Sequence, residues 1–233
     1  MMHSHTMPDF PKAVLFDFDG VLVDSEPHHF TTFTTVLRRN GLDIDKSGYY
    51  RNLLGLTDYD SFMHVYRESD QNLPGDLVDR MTQQKAQAMM QRIRQGHIQP
   101  TPGAIDFVEA MAARCPLAIC SGARREEIEA VLAALELAPY FRTIVAAGEV
   151  PGKPDPAGYL LAMRQLAAHT GRRLTPSDCL IVEDSPLVIA SVREVGFRVL
   201  AVACSVPAES LAHADHVVPS LDAPSARSLC SVP

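Results

Sequence analysis

No stretch of this 233-residue chain approaches the ~20 consecutive apolar residues of a membrane span, so no membrane partner is expected. No long apolar segment follows a basic region near the start, and a secretory signal is not expected either. Positive charge is in short supply: 21 Lys and Arg stand against 28 Asp and Glu, for a formal net charge of -7. A general nucleic-acid binder would carry a basic stripe, so that class is excluded. An anionic substrate would have to be drawn in by local positive charge, because the global field repels it. The five cysteines, Cys115, Cys120, Cys179, Cys204 and Cys230, form no CxxC pair and are odd in number. Cys120 and Cys179 fall in apolar, strand-like runs where a free thiol behaves as a small hydrophobe, so a reducing, cytoplasmic compartment is expected. Internal repeats and low-complexity segments are absent as well.

What is present is an ordinary globular composition, 46% apolar and 21% charged, in a chain long enough for one core domain and a smaller insert. Its most informative stretch is Ala13-Val14-Leu15-Phe16-Asp17-Phe18-Asp19-Gly20-Val21-Leu22. The run Ala13 to Phe16 is apolar throughout, as a strand buried on both faces should be. Asp17 and Asp19 follow it at i and i+2, on one face of an extended segment. Two anions so close are costly unless a cation or a shared proton lies between them. The glycine turn after a buried strand is where open parallel sheets bind ligands. Paired carboxylates there point to a divalent metal and phosphoryl chemistry.

Punctuation along the chain predicts its organisation. A first strand spans Lys12 to Asp17. A helix follows over Ser25 to Asn40, with Ser25 as cap, Pro27 in the first turn and Gly41 as stop. Residues 47 to 96 are polar, Gln-rich and Met-rich with helical periodicity, and Met81, Met89, Met90 and Ile93 read as helix packing. From Pro100 the texture alternates: strands at 117–120, 143–147, 179–182, 198–203 and 216–218, helices at 125–135, 157–168 and 187–195. That rhythm predicts βαβ units, hence an α/β, Rossmann-like parallel sheet. The expected division is a catalytic core of residues 12–25 and 97–220, an all-helical insert of 26–96 over the sheet's carboxyl edge, hinges near Ser25 and Gln99, and flexible termini at 1–11 and 221–233.

Strand ends carry the chemistry in a suggestive order. The first ends in Asp17. The next reaches Ser121-Gly122, just before a helix bearing Arg124 and Arg125. A later one leads to Gly152-Lys153-Pro154, and another ends in Glu183-Asp184-Ser185. Each has a plain alternative: a serine capping a helix, a solvated loop lysine, acids at a helix start. A parallel sheet, however, delivers all of them to one edge.

Taken together, Asp17-Phe18-Asp19-Gly20-Val21-Leu22, Ser121-Gly122, Lys153-Pro154 and Glu183-Asp184 resemble the ordered motifs of the haloacid dehalogenase superfamily. Asp24-Ser25-Glu26, Lys153-Pro154-Asp155-Pro156 and Val182-Glu183-Asp184-Ser185-Pro186 are similar to its branch of β-phosphoglucomutase and small sugar-phosphate phosphatases. The likeness covers residues 12 to 218 and implies a Rossmann-like core with a helical cap inserted after the first strand. It implies Asp17 as nucleophile, forming an aspartyl-phosphate, and Asp19 as general acid and base. It implies Mg²⁺ held by the Asp17 carboxylate, the Asp19 carbonyl and Asp184, with Glu183 a ligand or just behind one. Ser121, Gly122 and nearby N–H groups would hold phosphate, Lys153 would neutralise charge, and Gly20 and Gly122 would give the backbone room to close.

The implied activity is Mg²⁺-dependent hydrolysis of a small phosphorylated metabolite, a sugar phosphate first, by a monomer or weak homo-oligomer. Asp19 argues against a dehalogenase, which needs no second acid. Lys46 and Lys85, the lysines of the insert, have no context suggesting a Schiff base. Mutases of the branch carry a cap arginine that clamps a second phosphate. In the matching stretch, Gly55-Leu56-Thr57-Asp58-Tyr59-Asp60-Ser61, Asp58 takes its place, and an acid there should repel phosphate. Arg51 or Arg67 could stand in, and His29 sits where the mutase has a hinge histidine, so an isomerase remains the alternative. A non-catalytic binding module is the other, against which Asp19 speaks. Tyr49, Tyr50, Tyr59 and His64 are candidates for substrate choice.

Overall fold

In the computed structural model, which describes residues 10–53, 56–69 and 76–230, the apolar run after Lys12 forms β1 (Ala13–Phe16), buried at every residue. The turn beyond it leads to β2 (Val23–Asp24), which pairs antiparallel with β3 (Gln99–Pro100). The other strands are β4 (Leu117–Cys120), β5 (Phe141–Val145), β6 (Cys179–Glu183), β7 (Arg198–Val202) and β8 (His216–Val218). They join β1 in a six-stranded sheet of order β5-β4-β1-β6-β7-β8. Every pairing in it is parallel. The chain moves outward from β1 through β4 to β5, then crosses to β6 and continues to β8. The order therefore reverses beside β1, the point at which such sheets open a crevice at the strands' carboxyl ends.

The chain divides into two compact units, residues 1–24 with 99–233 and residues 25–98. In the first, α7 (Ala157–Thr170) and α8 (Pro186–Glu194) press Tyr159, Leu166, Ile189 and Val192 onto Leu15, Ile181 and Val199 of the sheet. Phe16 meets Phe107 of α5 (Ala104–Ala112) and Phe141 edge-on, with centroids 6.1 and 5.9 Å apart. The remaining helix between β4 and β5 is α6 (Arg125–Ala134).

Several expectations shift. The strand read at 143–147 spans 141–145 instead, because a single 3-10 turn at Ala138–Tyr140 hands Phe141 directly to the sheet. α5 is not among the expected helices although Ala104, Phe107, Val108 and Met111 recur at helical spacing, and the two-residue strands of the β2–β3 pair are too short to leave a pattern. The C-terminal segment read as flexible forms α9 (Pro224–Cys230), with Leu221, Ala223 and Ala226 buried. What docks it is tertiary. Gly103, at φ +81°, admits the backbone of Asp222 so closely that a Cβ would lie 2.2 Å from its nitrogen. The flexible lead-in read at 1–11 falls, through residue 9, outside the described residues.

The second unit consists of α1 (Glu26–Arg39), α2 (Lys46–Asn52), α3 (Asp58–Glu68) and α4 (Leu77–Arg94). Ser25 stands at the cap position of α1 but makes no side-chain cap bond, since its backbone is already helical. Asp45 and Thr57 do cap α2 and α3, accepting from the amides of Gly48 and Asp60. Phe33 stacks on Phe62 at 4.3 Å, with Tyr49, Val65 and Met81 around them. Met81 and Met89 are buried, as helix packing requires.

A polar contact ties three of these helices. Lys85 of α4, its side chain 3% exposed, donates to Asp58 of α3 at 2.6 Å. It also donates to Nδ1 of His29 on α1 at 2.6 Å. Burial, helped by Lys85 and His28, pushes the His29 pKa down to about 3, so the ring is a neutral acceptor. Lys85 thus has a well-defined context, which the sequence did not reveal, and Asp58 faces a cation instead of standing as an open negative charge.

Asp58→Ala should cost about 3 kcal/mol in denaturant unfolding, because it strands a buried ammonium. Lys85→Met should cost clearly less, since methionine fills the space and Asp58, at 32% exposure, can turn to water. His29 stays neutral in the fold but takes a proton below its ordinary value of 6.5 once unfolded. Stability should therefore fall by about 2 kcal/mol from this group between pH 7 and pH 5, and His29→Asn should remove that part of the loss.

Candidate active site

Register brings the acids together. Phe16 pairs with Ile119 of β4 and with Val182 of β6. One step on, Asp17 is level with Cys120 and Glu183; a further step brings Ser121 and Asp184 to the same edge. The Asp17 amide donates to Val182 and the Ser121 amide to Val145, at 2.9 and 3.0 Å, so both side chains leave from hydrogen-bonded backbone.

Lys153, from the loop between β5 and α7, supplies the cation. Its Nζ lies 2.7 Å from Asp17 Oδ1 and 2.7 Å from Glu183 Oε1. It also donates to the Tyr159 hydroxyl at 3.1 Å, and that hydroxyl donates to Glu183 Oε1 at 3.2 Å. The other Glu183 oxygen accepts the amides of Asp184 and Ser185, at 2.8 and 2.7 Å. Glu183 is 1% exposed, and both of its oxygens are thus occupied by the protein itself.

Asp17, Glu183 and Asp184 bring one carboxylate oxygen each to within 4.8 Å of one another. Three acids against one ammonium leave the cluster short of positive charge. Burial, with Glu183 and Asp184 alongside, pushes the Asp17 pKa up against the pull of Lys153. Burial and Glu183 raise Asp184 to about 6, opposed by Ser205 and Lys153. Burial disfavours the Lys153 charge, but Asp17 and Glu183 prevail and its pKa rises. Hard oxygen donors with excess negative charge suit a divalent cation such as Mg²⁺.

Other residues read from the sequence fall out as follows. Asp19 is half-buried and bridges to Val23 in the turn. Gly20 adopts φ +78°, and a Cβ there would lie 2.2 Å from Asp184 Oδ2. Its freedom therefore makes room for the protein's own carboxylate. Gly122 is exposed, and a Cβ added to it would meet nothing within 4 Å, so no protein contact demands glycine there. Ser121 is no helix cap, since Arg124 holds that position of α6; its hydroxyl accepts the Ala123 amide at 2.9 Å. Arg125 is spent on the Ile144 carbonyl and Glu149.

Two contributors went unread in the sequence. Tyr159 sits in an apolar helical pattern that hides the use of its hydroxyl. Ser205 follows β7, and its hydroxyl donates to Asp184. The rule that parallel strands deliver their ends to one edge applies to β7 as well and could have found it.

Comparison with known proteins supplies independent evidence. The sequence profile described as haloacid dehalogenase-like hydrolase matches residues 14–202. Protein CbbY of Rhodobacter capsulatus is 31% identical over 230 residues, covering 95% of this chain and 99% of that one. Fructose-1-phosphate phosphatase YqaB of Escherichia coli K12 is 26% identical over 185 residues, covering 79% and 92%. Among solved structures, CbbY from Rhodobacter sphaeroides in complex with phosphate superposes with a TM-score of 0.78 at 24% identity, covering 93% and 98% of the two chains.

Lys153→Ala should cost about 3–5 kcal/mol in chemical denaturation, because it leaves buried carboxylates without their cation. Tyr159→Phe, which removes one hydroxyl from the same network, should cost about 1–2 kcal/mol.

Proposed function

Because the chain belongs to the haloacid dehalogenase-like hydrolase family, we propose that it is a Mg²⁺-dependent phosphatase of a small phosphorylated metabolite, a sugar phosphate in the first instance. The observation that carries this is the buried cluster in which Asp17, Glu183 and Asp184 converge on the single ammonium of Lys153. The donor set fits the metal. Asp17, Asp184 and the carbonyl of Asp19 would hold it, and the full occupation of Glu183 by Lys153, Tyr159 and two amides suits a supporting role for that acid. Bound Mg²⁺ would supply Lewis-acid stabilisation of the charge on the transferring phosphoryl group.

Asp17 acts as the nucleophile. Its carboxylate oxygen forms a bond to phosphorus as the ester oxygen leaves, giving an aspartyl-phosphate. Asp19 donates a proton to the leaving oxygen, then accepts one from the water that breaks the acyl phosphate and restores Asp17. Lys153 favours the ionised form of Asp17 and offsets charge on the phosphate oxygens. Ser121, its backbone held by Val145, offers a hydroxyl and adjoining N–H groups at the same edge. A named relative, fructose-1-phosphate phosphatase YqaB, supports the sugar-phosphate class. The free cysteines Cys115, Cys120, Cys179 and Cys204 suit a reducing, cytoplasmic setting. An isomerase would need a cation in the insert for a second phosphate; Lys85 is held by Asp58, so that role would fall to Arg51 or Arg67.

The test is phosphate release from a panel of sugar phosphates, phosphoglycolate, nucleotides and p-nitrophenyl phosphate, with and without Mg²⁺. Release should require Mg²⁺ and favour sugar phosphates, and Asp19→Asn should lower turnover by about 10²- to 10⁴-fold with unfolding unchanged. Absence of Mg²⁺-dependent release across the whole panel would overturn the reading.

A further inference from the structure

The end of β7 contributes to the acidic cluster through residues outside the four strand-end motifs. β6 and β7 run in register, with Glu183 opposite Ala201. The loop leaving β7 therefore arrives beside Asp184. There the Ser205 hydroxyl donates to Asp184 Oδ2. The neighbouring Cys204 thiol donates to the Gly20 carbonyl, which ties this loop to the turn after β1. The amide of Ala203 donates to Val218 at 2.8 Å and anchors the loop's other side to β8. The packing is close: a Cβ on Gly20 would lie 2.2 Å from Asp184 Oδ2 and 2.9 Å from Ser205 Oγ. Gly20, Asp184 and Ser205 thus form one fitted contact between the ends of β1, β6 and β7.

We propose that Ser205 is a positioning residue for the divalent cation: by holding Oδ2 of Asp184 it fixes the carboxylate's rotation and leaves Oδ1 as the oxygen offered to the metal. The proposal rests on the Mg²⁺ reading given above. The physical reason is that a carboxylate with one oxygen engaged has a single orientation available, so less rotational freedom is lost when the cation binds. Groups that orient a metal ligand in this way typically contribute about 10- to 100-fold in affinity.

The experiment measures Mg²⁺ binding to the full chain by calorimetry, together with thermal unfolding in the absence of metal. Ser205 is exposed and outside the core, so Ser205→Ala should unfold at the wild-type temperature. Its Kd for Mg²⁺ should rise about 10- to 100-fold, while Ser205→Thr, which keeps the hydroxyl, should bind close to wild type. Wild-type Kd values for both variants would overturn the proposal and leave the Mg²⁺ reading standing. Equal weakening in the Ala and Thr variants would overturn it too, since the hydroxyl would then not be the cause. A wild-type chain that takes up no Mg²⁺ would end both.

Discussion

The ammonium of Lys153 is what makes the site possible. Three carboxylates cannot share a buried crevice without a cation, and the chain provides one, at 2.7 Å from Asp17 and from Glu183. The compensation is incomplete in charge terms: one positive group faces three negative ones. That imbalance is costly to the fold by itself, and a further, divalent positive charge would relieve it. The same ammonium that allows the acids to be buried also opposes the upward push of burial on Asp17.

The sheet determines which residues can join this cluster. With β1 between β4 and β6, and β7 beyond β6, four neighbouring strands deliver their carboxyl ends side by side. Asp17, Ser121, Glu183 with Asp184, and Ser205 come from these ends, and Lys153 comes from the loop after β5. Tyr159 reaches the same point from the first turns of α7, so the core helix that buries β1 also braces Lys153. The acidic cluster is in this sense an extension of the hydrophobic core, and changes to it are expected to register in stability.

The helical unit has its own buried charge, with a different logic. Lys85 joins Asp58 and His29 across three helices, and every member of the trio has a partner. An acid at position 58 reads in the sequence as a repulsive group. In the fold its charge is met by Lys85, so its meaning changes from exclusion of an anion to retention of a cation.

Local patterns in the chain were enough to read the architecture and to name most of the residues that meet in the acidic cluster. Continuous apolar runs such as Ala13–Phe16 and Leu117–Cys120 are the mark of buried parallel strands, and the order of Asp17, Ser121, Lys153 and Glu183-Asp184 follows from where those runs stop. Strand and helix periodicity is local, so it survives in one dimension. Contacts between distant residues were settled only by folding. The pairing of Lys85 with Asp58, the use of the Tyr159 hydroxyl, the approach of Asp222 to Gly103 and the grip of Ser205 on Asp184 leave no periodic trace, because each is a single contact between separate segments. A hydroxyl or an ammonium looks the same in the sequence whether it faces water or a carboxylate, and only the packed chain selects its partner.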